Sequence, residues 1–384
     1  MKCLQKPANI LLKTPYLSTH KLKLNSIVMK IKKTIADKSR ISEIDFDNLE
    51  FGRQFSDHMV EMTWENGSWS QPEIKPYGPI SFTPALNALH YGQAGFEGMK
   101  AFYYDEKTIH LFRPEDHQRR FENTCKRLCI PPVDMNSFMT SLEELIKTDS
   151  RWVPRKRGRA LYIRPFAFSS EEYIAARVSG KYKFFIITSP VAAYYKEGFN
   201  PVKLTTTFNY VRAVKGGTGA VKAAGNYGSS YYPAKKAQEE GYTQVLWLDA
   251  KEQTYIEEVG TMNIFFLIDG TLITPPLGGT ILPGITRKSV IALAKSWDVP
   301  VEERRISIDE VFEEDDKGSL QEIFGAGTAA VISPVGLINH GDRQIKIAGD
   351  KIGPFAKKMY DAITGLQYGE IDDPFEWVHK IHVS

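Results

Sequence analysis

The stretch GGTGAVKAAGNYGSSYYPAKK, residues 216–236, decides how the rest of the chain is read. Lys222 stands in it among glycines and alanines, with Asn226 and Tyr227 just beyond, so its amine is framed by close backbone and an aromatic ring rather than by other charges. The spacing is not that of a G-x-x-x-x-G-K-[ST] phosphate loop, because Val221 precedes Lys222 and Ala223 follows it. A lysine amine in such surroundings suits condensation with a carbonyl, and the biological carbonyl most often held this way is that of pyridoxal 5′-phosphate. That cofactor makes two further demands on a sequence: a carboxylate for its ring nitrogen and an anion site for its phosphate.

Both demands have candidates. YIEEVGTMNIFFLID, residues 255–269, sets Glu257 and Glu258 at the entry to an apolar strand, where neighbours point to opposite faces. One of the two is therefore expected to face inward, toward a cation, and the other to be solvated. LPGITRKS, residues 282–289, offers a Pro-Gly turn and then the free amides of a helix N-terminus at Ile285 and Thr286, a ready anion site. Among Arg113, Arg119, Arg120 and Arg127, which flank a helix after Pro114, Arg120 adjoins the apolar stripe and is the one expected to point inward. The small-residue turn in FGAGTAAVISPV, residues 324–335, ends a strand at residues 325–329 and adds the Thr328 hydroxyl and closely spaced amides.

Composition narrows the class of protein. The chain has 384 residues, 42% hydrophobic and 25% charged, which suits a globular protein of two cored domains. Its 49 basic and 46 acidic residues leave a formal net charge of +3, so no broad basic field exists for nucleic acid or an anionic membrane. No apolar run reaches the length of a membrane span. The three cysteines, Cys3, Cys125 and Cys129, are too few for a disulfide framework and suit a reducing compartment; Cys125 and Cys129 read as helix-packing thiols rather than metal ligands. Residues 1–36 carry lysines and no acidic residue, and residues 1–28 are read as a disordered leader or extension outside the fold. A cytoplasmic location is expected, with organelle import the alternative if that leader is real.

Along the chain, strand-like runs alternate with helical ones, as in an α/β fold. RPEDHQRRFENTCKRLCI, residues 113–130, is a helix with Pro114 and two acids in its first turn and an apolar stripe of Phe121, Cys125, Leu128 and Cys129. KYKFFIITSP is a buried strand ended by proline, and VAAYYKEGFN, residues 191–200, is a connector. Residues 29–190 are thus expected to form one domain and residues 201–384 another. In the second, YYPAKKAQEEGY reads as a helix, VKLTTTF, QVLWLD and TMNIFFLI as strands, and Asp269-Gly270 as a hairpin turn.

Seven segments in order, HYGQAGFEGMKAF (90–102), LFRPEDHQRR (111–120), LYIRPF (161–166), VKAAGNYG (221–228), EEVGTMNIF (257–265), ILPGITR (281–287) and GAGTAAVISPV (325–335), resemble the branched-chain amino acid aminotransferases within the class IV pyridoxal-phosphate enzymes. The resemblance implies a fold type IV α/β protomer, with a smaller N-terminal α/β domain, an interdomain loop at 191–200, and a larger C-terminal α/β pseudo-barrel domain that binds the cofactor. It implies a homodimer or larger assembly in which a partner loop closes the site. By motif position, Lys222 would condense with the cofactor aldehyde, Glu258 would pair with the ring nitrogen, and Tyr227 would meet the phenolic oxygen. Arg120, Ile285, Thr286 and Thr328 would hold the phosphate. Tyr91 and the Thr328 and Ala329 amides would organise the substrate carboxylate. Phe51, Phe96, Tyr162, Tyr227, Thr261 and Met262 would wall the side-chain site, and Arg164 would meet the distal carboxylate of glutamate or 2-oxoglutarate.

The implied reaction is reversible, ping-pong amino transfer between L-leucine, L-isoleucine or L-valine and 2-oxoglutarate, with no metal. A D-amino acid aminotransferase or an aminodeoxychorismate lyase shares the fold and the lysine, and a non-enzymatic phosphate-ligand binding protein would use the glycine turns alone. Where some animal members carry a Cys-x-x-Cys pair, this chain has Ala330, Val331, Ile332 and Ser333, so redox switching there is not expected.

Overall fold

The structure, a computed structural model, describes residues 31–192 and 199–383. The expected leader at 1–28 and most of the expected connector at 191–200 lie outside the described residues. Two β-sheets carry the fold. The first runs in the order Lys32–Lys33, Glu73–Pro76, His58–Glu65, Tyr182–Val191, Ala160–Ser169, Met99–Asp105, Thr108–Phe112 and Val378–His382. Its last member comes from the far end of the chain: Val378–His382 lies antiparallel to Thr108–Phe112 with Ile381 opposite Ile109. The C-terminus therefore completes the sheet built from N-terminal residues, which a split of the chain at residues 191–200 does not anticipate.

The second sheet closes on itself. Ile256–Val259 pairs on one side with Gln244–Leu248 and on the other with Met262–Ile268, and the ring is completed through Val202–Thr206, Val331–His340 and Leu320–Gly327. This is the barrel element of the expected fold. Met262–Ile268 is buried at every position, which explains why Ile264–Ile268 reads as an unbroken apolar run rather than an alternating one. Asp269 and Gly270 both take positive φ, 45° and 74°, as a two-residue hairpin turn into Thr271–Thr274 requires.

The helices follow the sequence with two adjustments. Pro114–Arg127 has proline and acids in its first turn and buries Phe121 and Cys125 against the first sheet, together with Phe138, Leu142 and Leu145 of Met135–Thr148. Cys129, expected on that stripe, lies beyond the helix at φ 55° and is exposed, because the chain turns before another helical turn can form. The helix expected from Tyr231 begins earlier, at Ala224, and runs to Glu239 with Pro233 inside it. A further apolar cluster joins Phe102 and Phe112 of the first sheet to Phe265 and Phe324 of the second through Val290, Leu293, Met359 and Ile363 of two helices. The described residues accordingly form a single compact unit.

Ile381 is 1% exposed in the apolar core of the first sheet. Ile381→Ala is expected to lower unfolding free energy by about 2–5 kcal/mol in urea titrations; a loss under about 0.5 kcal/mol, the range of ordinary surface changes, would show that the C-terminal strand is not an integral part of that sheet.

Candidate active site

Lys222 is placed by its backbone. Its amide donates to Thr124 Oγ1 (3.1 Å), its carbonyl accepts from the Phe96 amide (3.1 Å), and Gly95 and Ala223 form an isolated antiparallel bridge. A side chain at 95 would come within 2.7 Å of the Thr124 methyl, so glycine is what lets the two segments meet. On the other side, Asn226 donates to the Thr218 and Val221 carbonyls (2.8 and 2.9 Å), folding the glycine-rich loop back onto the helix Ala224–Glu239. The Lys222 amine donates to the Tyr227 hydroxyl (3.1 Å) and lies 4.7 Å from the centre of the Phe96 ring. The amine thus points along an aromatic wall into a cavity of about 560 Å³.

Glu258 lines the same cavity and is 2% exposed. One carboxylate oxygen accepts from Asn263 Nδ2 (3.1 Å) and the Leu282 amide (3.0 Å), while the other meets Arg212 Nε at 2.5 Å. Burial pushes its pKa up to about 7; Arg212, the Leu282 amide and Lys222 oppose the rise without cancelling it. A carboxyl in this state gains most from a cationic partner in the cavity. Glu257, expected in solvent, is also buried: it points to the other face of the strand, where Thr280 Oγ1 donates to it at 2.5 Å. Alternation placed the two on opposite faces as expected, but the Thr280 loop covers the outer one.

The anion-binding end is built from both halves of the chain. Ile285 and Thr286 open the helix Ile285–Ser296 behind Gly284, with their amides forward of its first turn, and both line the cavity. Gly284 leaves room there that a Cβ would take from the Asn263 amide group. Arg120 is 7% exposed and lines the same cavity; it donates to the Pro283 carbonyl (3.2 Å) and is gripped by Glu97 through Nε (2.8 Å) and Nη2 (2.6 Å).

The strand Leu320–Gly327 runs on through Gly327, and Thr328, Ala329 and Ala330 form the turn into Val331–His340, in the later part of the expected span 325–329 and one residue beyond it. Thr328 and Ala329 line the cavity, as do Phe51, Phe96, Tyr162, Thr261 and Met262. Phe51 and Tyr162 pack edge to face at 4.9 Å. Arg164 lies against the Phe96 ring, 4.5 Å from its centre, and donates to the Tyr162 hydroxyl at 3.0 Å, while its buried Nε has no hydrogen-bond partner among the described residues. Tyr91 is not brought to this cavity: it ends the short helix Asn87–Tyr91 and is 45% exposed. Three groups that no sequence motif marked, two of them buried and Arg212 largely so, support the site from behind. They are Glu97, Arg212, and Lys100, whose amine donates to the Ala329 carbonyl (2.6 Å) and whose pKa burial lowers to about 8. Each meets its partner across a long sequence separation, so no local pattern marks it.

Because the folded-state pKa of Glu258 lies above its ordinary 4.5, its contribution to stability is full below about 4.5 and is lost as pH rises through about 7. In cofactor-free protein the wild type should therefore lose roughly 3 kcal/mol relative to Glu258→Gln between about pH 5 and about pH 8, measured by urea unfolding at both. A pH-independent difference would mean that the carboxyl titrates as if solvated.

The family model for class IV amino-transferases matches residues 94–338, which spans every cavity residue named above except Phe51. The branched-chain-amino-acid aminotransferase 2 of Bacillus subtilis (strain 168) is 48% identical over 338 residues, 88% of this chain and 93% of that protein. Among solved structures, the branched-chain aminotransferase of Thermoproteus uzoniensis with norvaline has a TM-score of 0.68 at 26% identity, covering 84% of this chain and 99% of that one. A T.th. branched-chain amino acid aminotransferase, complexed with N-(5′-phosphopyridoxyl)-L-glutamate, has a TM-score of 0.67 at 25% identity over 83% of this chain and 98% of that one. An amine, a buried carboxyl and an anion cradle converging on one cavity therefore come with a shared fold and shared sequence, and the chain belongs to the class IV aminotransferases, in the branched-chain-amino-acid aminotransferase family.

Proposed function

We propose that this cavity carries out reversible amino transfer between L-leucine, L-isoleucine or L-valine and 2-oxoglutarate, with pyridoxal 5′-phosphate as cofactor. The observation that carries the reading is the convergence of three unlike groups: the Lys222 amine, the buried Glu258 carboxyl and the Arg120–helix N-terminus cradle. Their chemistry fits the cofactor. The amine suits its aldehyde, a carboxyl with a pKa near 7 suits a ring nitrogen that can carry a proton, and a guanidinium beside free helix amides suits a phosphate. When bound, pyridoxal 5′-phosphate supplies an electron-withdrawing ring that eases removal of the hydrogen on the substrate Cα.

The chain's own residues do the rest. The Lys222 Nζ serves as the base toward the Cα hydrogen, and the neighbouring Tyr227 hydroxyl, 3.1 Å away, orients it and meets the cofactor's phenolic oxygen. Glu258 holds the ring-nitrogen proton, and Arg212 and Asn263 fix the direction of its carboxyl. Arg120, Ile285, Thr286 and Thr328 hold the phosphate. The Thr328 and Ala329 amides take the substrate carboxylate, with the Lys100 ammonium bracing the turn from behind. Phe51, Phe96, Tyr162, Thr261 and Met262 exclude water from the branched side chain. Arg164, at the edge of that wall, takes the distal carboxylate of glutamate or 2-oxoglutarate.

The same reading includes a homodimer, two domains and a cytoplasmic enzyme. Leu89, Tyr91, Tyr173, Ile174 and Val178 are exposed apolar side chains on two segments joined by hydrogen bonds, Asn87 amide to Glu171 carbonyl (2.9 Å) and Tyr173 amide to Ala85 carbonyl (2.8 Å). We assign this projection to contact with a second copy, where Tyr91 reaches the substrate carboxylate that it does not approach in its own chain. The two sheets are read as the cores of the domains 29–190 and 201–384, with the final strand crossing back. No helix among the described residues is long and apolar enough to cross a membrane.

The test is an assay with a discriminating variant. Protein loaded with pyridoxal 5′-phosphate should form glutamate from L-leucine and 2-oxoglutarate, leave D-alanine untouched and release no pyruvate. Turnover of D-alanine, or pyruvate release, would overturn the substrate assignment while keeping the fold. Arg164→Met should raise KM for 2-oxoglutarate about 10- to 100-fold, the worth of a charge-assisted hydrogen bond, with a much smaller effect on L-leucine; an equal effect on both would remove the distal-carboxylate role.

A further inference from the structure

Glu97 is a fully buried carboxylate for which the roles above provide no use. It stands between Phe96, which walls the cavity, and Gly98, where a side chain would collide with the Tyr162 hydroxyl. Four donors converge on its two oxygens. Oε1 accepts from the Gly98 amide (2.7 Å), Arg120 Nη2 (2.6 Å) and His117 Nδ1 (3.2 Å), and Oε2 accepts from Arg120 Nε (2.8 Å). Burial alone would push the Glu97 carboxyl up, yet Arg120 and His117 outweigh it and hold it well below the ordinary carboxylate range. The pair is therefore a fixed ion pair, with each partner's geometry dictated by the other.

Arginine has five N–H donors in a rigid plane. Two go to Glu97 and one, on Nη1, goes to the Pro283 carbonyl of the loop that feeds the helix Ile285–Ser296. Among the described residues that leaves one donor on each Nη, in a cavity lined also by Ile285 and Thr286. We propose that Glu97 is the positioning residue for Arg120, locking the guanidinium so that its two remaining N–H groups and the amides of the helix N-terminus converge on a phosphate monoester. The inference rests on the reading that this end of the cavity takes the phosphate of pyridoxal 5′-phosphate, and it adds how the site is held ready before the phosphate arrives.

The sign of the effect is not self-evident, which is what makes it testable. By charge alone Glu97 opposes the phosphate, so deleting it should tighten binding. By geometry it fixes the plane of the guanidinium, which without its bidentate partner is free to turn its donors out of the cradle. The second effect is the larger, so loss of Glu97 weakens phosphate recognition even though it removes a negative charge.

The measurement is the affinity of the full, cofactor-free chain for pyridoxal 5′-phosphate and for pyridoxal, which carries the same aldehyde and ring without the phosphate. Visible absorbance follows both titrations. In Glu97→Gln the preference for the phosphate ester, read as the ratio of the two dissociation constants, should fall at least about tenfold, with pyridoxal affinity changed by less than about threefold, since charge-assisted hydrogen bonds to the ester are the part lost. Glu97→Asp keeps the buried negative charge but withdraws it by one methylene, so it folds even where the amide variant does not, and it should show the same direction of change. In an Arg120→Met background Glu97→Gln should leave the ratio unaltered. A ratio unchanged or increased in the Asp and Gln variants would overturn the proposal, and equal losses for both aldehydes would reduce Glu97 to a general structural role. A wild-type chain that does not prefer the phosphate ester would overturn the phosphate reading itself, and the positioning role with it.

Discussion

Two residues of backbone contact, Gly95 against Ala223, hold the functional centre together. The strand Ala94–Phe96 belongs to the first sheet through Ala160–Ser169, and Ala223 precedes the helix that packs on the closed second sheet. The Phe96 amide and Thr124 hydroxyl fix the Lys222 backbone on either side of that bridge. Shift it, and the amine no longer faces Glu258, Arg120 moves relative to the helix N-terminus, and the aromatic wall opens. The absence of a side chain at position 95 is thus a condition for the chemistry, because a Cβ there would meet the Thr124 methyl.

Charge is distributed around the cavity in a way that leaves work for a ligand. The Glu97–Arg120 pair is internally compensated and geometrically rigid. Glu258 is different, since Arg212 touches it at 2.5 Å and its pKa still stands near 7, so burial outweighs the pairing. Lys100 has the Ala329 carbonyl opposite it and its pKa falls toward 8 through desolvation. A raised carboxyl at one end and a desolvated ammonium behind the Thr328–Ala329 turn would both be relieved by a ligand that brings a proton-bearing ring nitrogen and a carboxylate.

Much of this was legible in the sequence, and the residues that were not share a physical reason. Lys222, Glu258, Arg120 and the Ile285–Thr286 helix start announce themselves through local chemistry: small neighbours, strand alternation, an apolar stripe and a Pro-Gly turn. The strand Met262–Ile268 is legible as a mostly apolar run, whereas the closure of its sheet was implied only by the family resemblance. Glu257 was misplaced because alternation specifies a face and not what covers it; here Thr280 does. Glu97, Lys100 and Arg212 acquire meaning through partners 23, 229 and 46 residues away, which single-sequence patterns do not reach. Tyr91 was assigned to the site by resemblance, and the fold of one chain leaves it on the surface.

The most direct measurement is chemical mapping of Lys222. Full-length protein is incubated with pyridoxal 5′-phosphate, reduced with borohydride, digested and examined by mass spectrometry. The expected result is a phosphopyridoxyl mass increment on the peptide that contains Lys222, at one equivalent per chain, and its disappearance in Lys222→Ala. Labelling spread over exposed lysines, or none at Lys222, would contradict the assignment of this cavity to the cofactor.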